Sequence, residues 1–298
     1  MRKSIFDIVS EKLDMNSDTD RLISMAETEK TIELMCFGGQ TIFHFVDLYC
    51  FKEWRHRSRY IDLEDFLEAL DYTSLKVQAK SDIEAHLMLI ELLYNIWHLA
   101  ENKFYEGELK EMLRWQGNFY HLKDVMDEIL EEYNHTVYTN EDKDYFIVVE
   151  NKPEVTAAAE IMPTPELSFD VIQYNHRSLK GDIEAKKTIL VRLGAELEAR
   201  RKELQNINKQ LSDDIFFMLN NVNIRHNNCA PEDRAKYKEY VSAMNSDQME
   251  AWYDELYQMM LLAFLLLDNQ ERAQKVSELK DNINRGKKNG QAENAHAE

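Results

Sequence analysis

Apolar residues recur at three- and four-residue spacing along most of the chain, with one interruption near the middle. The stretches "IFDIVSEKL" and "DRLISMAETEKTIELMCF" predict helices at the start. "FGGQTIFHFVDLYCF" breaks at Gly38-Gly39 and then continues as a strongly apolar segment. "SDIEAHLMLIELLYNIWHLAEN" carries the clearest helical signal of the front half. Ser81 to Glu84 read as a capping box, and Ile83, Leu87, Ile90, Tyr94 and Trp97 repeat on one face. "NFYHLKDVMDEILEEY" predicts another helix.

The period then changes. Residues Thr136 to Thr139 and Tyr145 to Val149 are rich in β-formers and flank the polar stretch Asn140 to Asp144, which predicts a small β-hairpin. "VTAAAEIMPTPEL" follows, and Pro163 and Pro165 read as a helix stop and linker. Beyond it, Ser168 and Asp170 suggest the cap of a new helix. From Gly181-Asp182, the positions Ile183, Leu190, Leu193, Leu197, Leu204, Ile207, Leu211, Ile215, Met218 and Val222 step by threes, fours and sevens. They predict one long amphipathic helix or two with a break near Arg200. A last helix begins at Asn245 or Ser246 and is apolar nearly all round after Gln258, so it is buried in its own domain or against a partner. The expected architecture is mostly α: an acidic helical domain with a small β-hairpin over 1–163, a helical bundle over 164–285, and a disordered polar tail over 286–298.

Composition narrows this picture. Four prolines and eight glycines in 298 residues favour helices over a β-sandwich or a Gly-rich sheet. Cys36, Cys50 and Cys229 form no C-x-x-C pair, which argues against a disulfide framework or structural zinc and for a reducing cytoplasm. The most apolar run, residues 259–267, is far shorter than the ~20 residues a membrane span requires. Residues 1–163 hold 17 Lys+Arg against 33 Asp+Glu, a balance of −16, while residues 164–290 hold 19 against 20. The front half therefore repels a phosphate backbone and suits a basic protein partner; the near-neutral back half could still meet RNA.

Candidate chemistry gathers in "FFMLNNVNIRHNNCAPED", residues 216–233. Read as the last turns of a helix, it brings Asn223, His226 and Asn227 together, with Asn220 one turn behind and Arg225 reaching back. An imidazole can move a proton at a ribose hydroxyl or a leaving oxygen, and a guanidinium can hold the phosphate. Asn221, Asn223 and Asn227 can orient both. A helix C-terminus explains the same residues structurally, because Asn accepts the left-handed cap conformation and Arg and His favour the negative end of the dipole.

A helical back half with a polar "N-x-x-x-x-R/H" element at the end of its third helix resembles the HEPN superfamily over about residues 168–285. That resemblance implies a homodimer through the C-terminal bundle and a metal-independent endoribonuclease of the toxin or abortive-infection type, active in anti-phage defence. It implies catalysis by His226 and Arg225 with Asn221 and Asn223, and substrate contacts from Asn220, Asn227, Asn228, His176 and Arg177. It implies no cofactor and no metal. In the family an arginine precedes the histidine by four to six residues; here Asn220 and Asn221 stand there, and Arg225 is adjacent to His226. The alternative is a non-catalytic dimerisation or sensing scaffold. "EWRHRSRY" (53–60) reads as a solvated basic face, and His86 and His98 as partly buried helix histidines. There is no Walker loop, G-x-G-x-x-G, H-E-x-x-H or G-x-S-x-G.

Overall fold

A computed structural model describes residues 14–34, 38–104, 113–115, 118–140 and 145–294. The chain is mostly helical with little sheet and divides into two compact units, 1–151 and 152–298. The division falls twelve residues before the expected boundary at 163. The helix before Pro163 does end there, at Glu160, but Pro153 opens that helix and Pro165 opens the next one, each in a first turn where a missing N–H costs nothing, so the segment expected as a linker is itself helical.

In the first unit the helices are α1 (Met15–Ile23), α2 (Ile42–Tyr49), α3 (Leu63–Ala69), α4 (Tyr72–Gln78), α5 (Ile83–Phe104) and α6 (Asn118–Glu132). Strands β1 (Ile32–Leu34), β2 (Gly38–Gln40) and β3 (Leu113–Trp115) form a three-stranded antiparallel sheet in the order β2-β1-β3, which periodicity did not reveal because each strand is three residues long. The expected hairpin is present as β4 (His135–Asn140) and β5 (Tyr145–Glu150), with Val137 opposite Val148; its turn at 141–144 lies outside the described residues.

Helix α5 is the centre of this unit. Leu89, Ile90, Leu93, Tyr94, Ile96, Trp97 and Ala100 are all buried, and α2, α4, α6 and β5 pack around them. Asp82, one residue later than the expected cap, accepts the Ala85 N–H at 3.0 Å. Two side chains of α5 act as a strand partner for β5. Asn95 donates to the Phe146 carbonyl at 2.9 Å and accepts the Phe146 N–H at 2.8 Å, and Glu91 accepts the Val148 N–H at 2.6 Å. They satisfy an edge that would otherwise expose its ladder groups. His86 is fully buried. The Thr19 hydroxyl donates to the Ala79 carbonyl at 3.1 Å, so the 3.0 Å contact with His86 places the imidazole proton on Nδ1. Burial also lowers the affinity of this ring for a second proton.

Asp18 is buried in the same core, and among the described residues its Oδ2 has no partner. Burial first, then the nearby Asp14 and Glu132 charges, push its carboxyl up from 3.8 to about 6. A raised carboxylate pKa favours the neutral form in the folded state. Its contribution is complete below the unfolded value and is lost as pH rises through the folded value near 6. Thermal melts between pH 4 and 7 are expected to show this unit weakening as pH rises. In Asp18→Asn, which keeps the shape without the charge, that slope should flatten.

The second unit holds α7 (Pro153–Glu160), α8 (Pro165–Gln173), α9 (Ile183–Ala199), α10 (Arg201–Ile207), α11 (Lys209–Asn221), α12 (Glu239–Ser242) and α13 (Ser246–Asn294). Thr164, not Ser168 or Asp170, caps α8, accepting the Leu167 N–H; Asp170 is buried and pairs with Arg192 at 2.6 Å. The predicted long helix is interrupted at Arg200, as the pattern allowed, and again at Asn208, which has extended backbone and caps α11 through the Leu211 N–H at 3.1 Å. Asn245 and Gln248 cap α13 reciprocally. Leu197, Leu204, Ile215, Leu219, Leu256, Met260 and Leu267 form the core between α9, α10, α11 and α13. The expected disordered tail is helical through Asn294; residues 295–298 lie outside the described residues. No helix among the described residues is long and apolar enough to cross a membrane.

Candidate functional site

Helix α11 stops at Asn221, so Asn220 and Asn221 end the helix while the polar residues from Asn223 to Asn228 belong to a loop. Asn223 sets the stop. Its φ of 55° is left-handed, the conformation Asn tolerates better than other side chains at the first residue past a helix. Its N–H donates to Asn228 Oδ1 at 2.8 Å, and its carbonyl accepts the Tyr253 hydroxyl at 3.2 Å. Asn221 back-bonds to the Phe217 carbonyl at 2.8 Å. Asn220 contributes its carbonyl, which accepts Asn228 Nδ2 at 3.3 Å. Asn227 turns inward on its own loop and accepts the Cys229 N–H.

Asn228 is the hub. It is 1% exposed, its amide also donates to the Lys236 carbonyl at 2.7 Å, and its carbonyl accepts the Lys238 N–H at 2.9 Å. One side chain thus joins the end of α11 to the turn before α12.

Arg225 is engaged as firmly. Nη1 donates to Glu198 Oε2 at 2.8 Å and Nη2 to the Gly194 carbonyl at 2.8 Å, while the guanidinium lies 5.5 Å from the Phe216 ring centroid. The hydrogen bond from Arg225 holds the Glu198 carboxyl below the usual range. Gly194 allows this approach: a Cβ there would lie 2.9 Å from both Leu219 methyls and 3.4 Å from Arg225 Nη2. The arginine therefore clamps the loop onto α9 and does not face an open groove. His226 is partly exposed and meets Lys236, Nδ1 to Nζ at 2.8 Å.

Of the nine predicted site residues, the structure brings Asn220, Asn223 and Asn228 into one hydrogen-bond network, with Asn221, Arg225, His226 and Asn227 on the same short segment. His176 serves another turn. It is buried before α9, its Nδ1 accepts the Ser178 N–H, and Arg177 follows within that turn. The convergence of Asn223, His226 and Asn227 that a helix would have produced does not occur, because the helix has already ended.

A second polar cluster escaped the sequence reading. Lys186 of α9 is buried and contacts Glu250 and Asp254 of α13, each at 2.7 Å. The Tyr174 hydroxyl donates to Asp254 at 3.0 Å, and its ring stacks on Tyr257 at 4.0 Å between centroids. The Tyr257 hydroxyl donates to the Val171 carbonyl at 2.6 Å, and Glu250 accepts the Gly181 N–H. Burial, with Asp254 beside it, raises the Tyr174 phenol far above its ordinary range. The signal was present: Lys186 lies three past Ile183 and four before Leu190, on the face that buries. Among the described residues, no group of three His, Cys, Asp or Glu side chains could hold a metal ion. In the first unit a cleft of about 800 Å³ is lined by Glu27, Asp47, Glu64, Glu68 and Asp71 together with Lys76. Lys76 already pairs with Glu27 at 3.0 Å.

Comparison with protein-family models, with curated proteins and with solved structures finds no match to this chain.

Proposed function

We propose that this chain is a non-catalytic helical interaction protein, whose second unit is a self-associating or sensing scaffold of the HEPN-like kind and whose acidic first unit docks a basic protein partner. The observation that carries this reading is the engagement of Arg225. The guanidinium that phosphodiester chemistry would need is held by Glu198 and the Gly194 carbonyl and is 22% exposed. The Asn221 and Asn228 amides bond to backbone carbonyls of their own segment, and the Asn228 carbonyl oxygen accepts the Asn223 N–H, as a structural latch requires. The cleft of the first unit, with five carboxylates against one paired lysine, suits a cationic segment.

One observation favours a second reading, a metal-independent endoribonuclease of the toxin or anti-phage defence type. His226 is partly exposed and carries an ammonium, Lys236, 2.8 Å away. An imidazole with an adjacent cation could move a proton while the cation holds a phosphate. In that reading Lys236 takes the part the sequence assigned to Arg225. Expression of the wild type and of His226→Ala in cells separates the two. The scaffold reading expects equal growth and intact RNA from both. Growth arrest with RNA cleavage by the wild type, abolished in His226→Ala, would establish the nuclease instead.

A further inference from the structure

Helix α13 leaves the packed part of the second unit after Leu267. Residues 269–284 are all exposed, although the helix continues to Asn294. Among the described residues, the stretch is tied to the bundle through the Glu271–Arg200 ion pair at 2.8 Å and buries no apolar side chain, and a long helical stretch without apolar packing gains little stability in water. This one carries an apolar seam: Leu262 is 48%, Val276 48%, Leu279 58% and Ile283 51% exposed. Together with Leu265, Asn269 and Arg272 these positions step by three and four through three heptads. A strict seven-residue repeat drifts by about 20° per heptad on a straight helix, and the seam stays covered only when a second helix winds around it.

We infer that the seam binds a second copy of itself, antiparallel, crossing between Gln270 and Glu271. Charge selects both the partner and the direction. In a parallel pair Arg272 would meet Arg272 of the second copy in the seam, and Lys275 would flank Lys280, so like charges would oppose each other. The antiparallel register places Leu262 against Leu279 and Leu265 against Val276 of the other copy. Asn269 meets Arg272, and on the flank Asp268, which pairs with Arg272 of its own helix at 2.5 Å, also meets Lys275 of the other copy. Each pairing occurs twice by the two-fold axis, which gives four apolar layers around two central polar ones. Polar layers of this kind fix register at some loss of affinity. The seam is continuous with the exposed edge at Leu262 on the packed half of α13, so the arm of one copy lies along the other's bundle.

This inference rests on the reading of the chain as an interaction protein and names the surface it uses. Sedimentation equilibrium on the full chain tests it. The wild type is expected to form a dimer with a Kd on the order of 1–10 µM. Leu279→Glu should weaken it about 100-fold or more, with the far-ultraviolet circular dichroism of the bundle retained. Lys275→Asp should also weaken the dimer, and Asp268→Lys combined with Lys275→Asp should restore it. A wild type that stays monomeric at about 100 µM, or a dimer indifferent to Leu279→Glu, would overturn the proposal. Tighter association of Lys275→Asp would overturn the antiparallel register. None of these failures touches the non-catalytic reading, which stands or falls on His226-dependent RNA cleavage.

Discussion

With Lys186 replaced by alanine, the second unit is expected to lose about 3 kcal/mol of stability at neutral pH, because one partner of a largely buried ion-pair cluster is gone. The ammonium sits 2.7 Å from Glu250 and 2.7 Å from Asp254 and 5.0 Å from the Tyr174 ring centroid, joining α8, α9 and α13. Without it two carboxylates face each other across the space it filled. Asp254 is half exposed, which keeps the loss toward the low end of the range for buried pairs. The deficit should depend on pH with a definite sign. The Gly181 N–H, and next Lys186, hold the Glu250 carboxyl below its ordinary value. Stability from a depressed carboxylate is present above the unfolded pKa and disappears as pH falls through the folded one. Urea unfolding of wild type and Lys186→Ala should therefore converge toward about pH 3. Equal stability of the two proteins at pH 7 would show that the cluster does not hold these helices together.

Asn228→Ala is the second large effect, also expected near 3 kcal/mol. The substitution strands the Asn223 N–H and the carbonyls of Asn220 and Lys236, which now bond to one side chain that is 1% exposed. Each buried group left unsatisfied costs about 1–3 kcal/mol, and partial rehydration of the loop keeps the sum below three full penalties. Asn228→Asp retains the acceptor for the Asn223 N–H but loses both donors, so it should fall between the alanine variant and the wild type. Thermal or urea unfolding measures all three.

The broad architecture was legible because its signals are long. Helices α5, α9 and α13 each repeat their apolar positions over several turns, and the hairpin switches period from 3.6 to 2 across Thr136 to Val149. Boundaries were less legible where one residue has two structural meanings. Pro153 and Pro165 open helices here, though proline equally marks their ends. The three-stranded sheet was invisible because three residues hold less than two periods. At the candidate site, composition pointed to the right segment and the wrong geometry. Helical spacing predicts that Asn223, His226 and Asn227 converge on one face, but a left-handed Asn223 ends the helix, and the Asn221 and Asn228 amides bond to backbone of the same segment instead. What no local pattern could supply is the partner of Arg225. Glu198 lies 27 residues earlier, and its approach depends on a glycine at 194 whose role shows only when α9 and α11 are packed together.

The central claim is that the asparagine and arginine cluster maintains the fold of the second unit, with His226 outside that role. Residues arranged for catalysis usually cost stability, so their replacement is neutral or stabilising, whereas replacement of a latch is destabilising. The direct measurement is the urea midpoint of Asn228→Ala beside that of His226→Ala. A large drop for Asn228→Ala, with His226→Ala within about 0.5 kcal/mol of wild type, is the expected result. An Asn228→Ala protein as stable as wild type, or more so, would contradict the account.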